Sequence, residues 1–101
     1  MSQTIGQDAF ANCKALEEIV IPEGVKIIGE RAFFGCESLK NIVLPNSLTE
    51  IVGEAFEGCS SLESVIIPPN VKVEKNAFTG CGPSLSFYTL EGKQLLLNNQ
   101  D

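Results

Sequence analysis

Four thiols and one adjacent carboxylate pair are the side chains best suited to chemistry here, and their spacing decides what they can do. Cys13, Cys36, Cys59 and Cys81 recur at intervals of 23, 23 and 22 residues. A zinc site needs ligands that converge on one point, commonly as C-x-x-C pairs. Thiols carried one per repeat instead form a line, about 5 Å apart at the spacing of stacked strands. Such a line cannot wrap a single metal ion. Side chains that point the same way from stacked coils also seldom meet the dihedral demand of a disulfide. The expectation is buried free thiols serving as small apolar residues.

Glu17 and Glu18 form the closest acidic pair. Neighbouring residues on a strand face opposite ways, so the pair reads as a solvated edge and not as an acid–base couple. The chain has no histidine, which removes His-based triads and bases. No phosphate-binding loop, dinucleotide fingerprint or nucleophile elbow is present. The residues therefore point to a non-enzymatic protein with no cofactor and no metal.

The elements that place these residues follow from one repeated pattern. Residues 28–44, IGERAFFGCESLKNIVL before Pro45, match residues 5–21, IGQDAFANCKALEEIVI before Pro22. They also match residues 51–67, IVGEAFEGCSSLESVII before Pro68, and a fourth copy opens at Val73. A fixed period of this length is the mark of a solenoid whose coils bury their apolar faces on each other. The boundaries are approximately 5–27, 28–50, 51–72 and 73–90, within a single domain spanning 1–101.

Each repeat carries a strand signal in LEEIVIP, LKNIVLP and LESVIIP. Ile19, Ile42 and Val65 stand two residues before Ile21, Leu44 and Ile67, which is the period of a strand. Pro22, Pro45 and Pro68 end it, since proline cannot donate to a ladder. The segments VKII, LTEI and VKV offer a second, weaker strand. The Ala-Phe-x-x-Cys stretch between them suits a short helical or 3₁₀ turn. Asn12, Gly35, Gly58 and Gly80 precede the cysteines and are residue types that tolerate a left-handed backbone. Phe10, Phe33, Phe56 and Phe78 fall in one column and are expected to stack as a buried ladder. Past Leu90, Glu91-Gly92 suggests a tight turn, so residues 91–101 are expected to form a hairpin or cap.

With Ile19 and Ile21 inward, Glu18 and Val20 face out, as do Asn41 and Val43, then Ser64 and Ile66. Val20, Val43 and Ile66 then form an apolar stripe. Two accounts are open: β-branched stacking common to any parallel sheet, or a partner site on a repeat surface. The candidate protein-binding residues are these six.

The net charge of −6 repels nucleic acid and anionic membrane surfaces. The longest apolar runs are far too short to cross a bilayer. The N-terminus lacks the order of charged, apolar and small residues that marks a signal peptide.

The quoted columns closely resemble the BspA-type leucine-rich repeats of bacterial and protist cell-surface proteins. The shared pattern is I-G-x-x-A-F-x-G-C-x-x-L-x-x-I-x-I-P-x-x-V, over roughly residues 5–90. Val52 and Glu74 stand where Gly6 and Gly29 fit it, and Gly82-Pro83 inserts a residue in the fourth copy. The resemblance implies a right-handed solenoid with a parallel sheet on its concave face. It also implies a protein-binding role in surface adhesion, at the cell surface or secreted within a longer chain. The alternative is a structural, self-associating cap or spacer with no dedicated ligand. A chain entering inside a repeat leaves Ile5, Leu16, Ile19 and Ile21 without a covering strand, which predicts a two-fold homo-oligomer through the N-terminal coil.

Overall fold

Two short strands per repeat, joined by tight turns, wind the chain into about four stacked coils. The computed structural model describes residues 3–89 and the backbone of Gln94–Leu95. The longer strands are β2 (Glu18–Val20), β4 (Asn41–Val43), β6 (Ser64–Ile66) and β8 (Ser86–Tyr88). They pair in parallel, and β9 (Gln94–Leu95) adds to β8 antiparallel, giving the order β2-β4-β6-β8-β9. The shorter strands β1 (Thr4–Ile5), β3 (Ile27–Ile28), β5 (Glu50–Ile51) and β7 (Lys72–Val73) build a second parallel sheet. Both sequence-derived strand signals thus become strands. Of the hairpin expected over 91–101, only Gln94–Leu95 is among the described residues.

The core is a set of columns, one residue per coil. Ile28 and Ile51, Ala32 and Ala55, Phe33 and Phe56, Cys36 and Cys59, and Leu39 and Leu62 are all fully buried. No polar or charged residue is buried among the described residues. Phe10, Phe33, Phe56 and Phe78 stack with centroids 5.0–5.1 Å apart and planes within 7°. That separation is the coil spacing itself, which holds the rings parallel at a distance within the range of favourable aromatic pairs. The expected ladder exists, but Phe10 at its outer end remains 36% exposed.

The Ala-Phe-x-x-Cys stretch is not helical, contrary to the expectation of a helical or 3₁₀ turn. No helix occurs among the described residues. The reason lies in its hydrogen bonds. Ala9, Ala11 and Cys13 donate locally, three residues back, to Gly6, Asp8 and Phe10. The alternate N–H groups of Asp8, Phe10 and Asn12 donate instead to Glu30, Ala32 and Phe34 of the next coil. A helix would claim every N–H for itself; here half of them join coil to coil.

Two left-handed residues per turn make this alternation possible. The expected column, Asn12, Gly35, Gly58 and Gly80, has φ of 62, 71, 81 and 76°. A second column, which the sequence reading did not mark, is formed by Asp8, Arg31, Glu54 and Asn76 at φ of 59, 57, 63 and 70°.

The ends depart from the sequence reading in two places. The first coil does have its shorter strand: β1 pairs with β3, and the Gln3 carbonyl accepts from Lys26 at 2.7 Å. Ile21 is buried, while Ile5, Leu16 and Ile19 are only half-buried. In the fourth coil, the residue read as inserted at Gly82-Pro83 does not shift the strand. The strand pairing sets Ser86, Phe87 and Tyr88 beside Ser64, Val65 and Ile66. Phe87 therefore enters the core and meets Phe78 edge-on at 4.9 Å.

Candidate functional site

The cysteine column is structural, with one feature that residue type does not announce. Cys36, Cys59 and Cys81 each donate their thiol hydrogen to a phenylalanine carbonyl of the preceding coil. The acceptors are Phe10, Phe33 and Phe56, at 3.1, 3.1 and 3.2 Å. The bond ties the end of one turn to the middle of the previous one. All four cysteines are free thiols. Burial raises the pKa of Cys36 and Cys59 above the usual thiol range and pushes Cys81 up to about 12. Thiols held protonated in this way are poor nucleophiles and poor metal ligands.

Glu17 and Glu18 are both exposed, as a solvated edge requires. A closer acidic pair lies elsewhere: Glu50 of β5 hydrogen-bonds Glu74, just past β7. Glu74 also accepts from the Gly53 N–H at 3.2 Å. The shared hydrogen bond raises the pKa of Glu50 and lowers that of Glu74. In the sequence the two stand 24 residues apart, outside the repeat period, so column alignment does not bring them together. Glu74 borders an open depression of about 300 Å³, lined also by Glu30, Glu54 and Lys75.

The outward face of the longer strands carries two ordered rows. One row is polar: Glu18, Asn41, Ser64 and Ser86 are neighbours by register. Ser64 Oγ donates to Asn41 Oδ1 at 2.7 Å within it. The other is apolar: Val20, Val43, Ile66 and Tyr88. Val20 is 70% exposed because no strand flanks it on the outer side among the described residues. Val43, Ile66 and Tyr88 are half-buried by their neighbours in the stack. All six candidate residues thus share one face. Ser86 and Tyr88 extend the rows, and the sequence reading missed them because its strand columns stop at the third copy.

Stacked coils of this length, with a strand, a proline and a Phe-centred turn in each, define a leucine-rich-repeat solenoid. Residues 2–98 match the family model described as BspA type leucine rich repeat region, and the chain belongs to that family. It is similar to a solved leucine-rich repeat protein from Bacteroides ovatus ATCC 8483, with 35% identity and a TM-score of 0.73. That match covers 83% of this chain and 24% of the other. A leucine-rich repeat protein of T. pallidum matches with 28% identity and a TM-score of 0.48, over 74% of this chain and 46% of its own. The chain therefore spans about a quarter of the first protein and under half of the second. No curated protein matches it. Leucine-rich-repeat domains are commonly protein-interaction modules and are generally non-enzymatic.

Proposed function

We propose that the chain is a protein-binding module that engages its partner through the outward face of β2, β4, β6 and β8. The row Val20, Val43, Ile66 and Tyr88 carries this reading, because apolar side chains in register on an open sheet face suit a partner's apolar ridge. The polar row beside it, Glu18, Asn41, Ser64 and Ser86, supplies carboxylate, amide and hydroxyl groups that fix orientation. A role in surface adhesion, as in the cell-surface proteins this family resembles, is the biological form of the same activity. The backbone polar groups of the middle strands are already paired, so the partner meets side chains and not a strand edge.

The test is surface plasmon resonance of the chain against a panel of purified proteins, repeated with the double variant Val43→Lys/Ile66→Lys. Both side chains point away from the core, so the variant should keep the wild-type circular dichroism. At least one panel protein should bind saturably, and the variant should bind it at least tenfold more weakly, a loss of about 1.4 kcal/mol. No saturable binding across the panel, or equal binding by the variant, would overturn the reading.

A further inference from the structure

We infer, on the strength of the partner face proposed above, that its occupant is a basic amphipathic helix laid across β2, β4, β6 and β8 along the axis of the stack. Val20, Val43, Ile66 and Tyr88 form one file, one residue per coil. The coils advance 5.0–5.1 Å per step, as the stacked phenylalanine rings record. An α-helix advances about 5.4 Å per turn. One helical turn therefore falls on each coil, and the two repeats drift apart by only about 1 Å over the whole file. Apolar residues at i, i+4, i+7 and i+11 of the helix meet the four coils in order.

Other regular segments do not keep this step. An extended strand along the same line places same-facing residues roughly 6.7 Å apart, so three steps leave it about one whole coil out of register. A sheet packed face to face would bring apolar side chains onto both outward rows, yet only one row is apolar. The other holds Glu18, Asn41, Ser64 and Ser86. A helix is about 10 Å across with its side chains and carries a single apolar stripe. It seats that stripe on the file and turns a polar flank to the polar row.

Charge fixes the chemistry of that flank. Glu17, Glu18, Lys40 and Glu63 stand exposed at the N-terminal ends of the strands, three carboxylates to one ammonium. Glu17, Lys40 and Glu63 are successive members of one column: the Lys40 N–H donates to Glu17 and the Glu63 N–H to Lys40, each at 2.8 Å. None of the three carboxylates is in an ion pair among the described residues. Glu23, past the other end of β2, already accepts from the Asn46 N–H at 3.0 Å. Lysine or arginine along one flank of the helix meets the free carboxylates, whereas an acidic flank is repelled.

The test uses an end-blocked peptide of about 14 residues, with leucine at i, i+4, i+7 and i+11, lysine along one flank and no aromatic residue. The chain has one tyrosine, Tyr88, and no tryptophan, so titration followed by tyrosine emission reports on the file itself. The peptide should bind saturably and gain helical circular dichroism. It should bind at least tenfold more tightly than two controls, one with glutamate in place of lysine and one of the same composition with leucine at every second position. Glu18→Gln/Glu63→Gln should weaken binding about threefold. Glu30→Gln/Glu54→Gln, at the open depression, should leave it unchanged. Equal or better binding of either control, or equal weakening by the two glutamine pairs, would overturn the helix as occupant. Peptide binding unchanged in Val43→Lys/Ile66→Lys would place the helix elsewhere and overturn it at this face. No peptide binding, beside a panel protein that the same variant loses, would overturn the helix alone and keep the partner face.

Discussion

At the scale of single residues, the columns show why some roles could be read from type and others could not. Gly35, Gly58 and Gly80 announce a left-handed backbone, because glycine carries no Cβ to clash there. Arg31 and Glu54 adopt the same conformation with no such signal, since neither residue type favours it. They do so because alternate N–H groups of the turn must reach the next coil. A side chain with a Cβ at positive φ costs roughly 1 kcal/mol or more. The fourth coil already carries asparagine at that position, as Asn76. Glu54→Asn should therefore stabilise the chain by about 0.5–1 kcal/mol, and an unchanged or lower urea midpoint would show that Glu54 suffers no strain. The thiols give a second residue-scale prediction. Cys36 and Cys59 are fully buried and held protonated by desolvation. A thiol-specific reagent at pH 8 should leave both unlabelled until the chain is denatured. Stoichiometric labelling of the native protein would contradict their place in the core.

At the scale of elements, periodicity located the strands because inward and outward residues alternate over segments ended by proline. It left the fourth strand out of these columns because Gly82-Pro83 disturbs the pattern there, and only the pairing of Phe87 with Val65 supplies the register. It also missed the contact between β5 and the residue after β7, where Glu50 and Glu74 meet across the coil spacing. The shift directions of this pair set a pH dependence with two opposed parts. The Glu50 pKa is raised in the folded state, so its contribution is full in acid and fades as pH rises through the folded value. The Glu74 pKa is lowered, so its contribution is present above the unfolded value and is lost as pH falls through the folded one. Glu50→Gln keeps a donor to Glu74 and removes the ionisable partner. The variant should match the wild type near pH 4 and exceed it in urea midpoint at pH 7. A wild-type advantage at pH 7 would mean that the two carboxylates do not share a hydrogen bond in solution.

At the scale of the whole molecule, stability is a sum over coils and their interfaces, so position along the stack should matter as much as residue type. The four phenylalanines make this testable, since they are chemically identical and differ only in coverage. Phe33 lies between two rings and is fully buried, whereas Phe10 has one ring neighbour and is 36% exposed. Replacing Phe33 by alanine opens a void between coils that the rigid ladder cannot close, at a cost of about 3–5 kcal/mol. Phe10→Ala leaves no enclosed void and loses only part of one ring's burial, at a cost of about 1–2 kcal/mol. Urea titrations at low protein concentration should give this order, and equal losses would mean that Phe10 is as well covered in solution as Phe33.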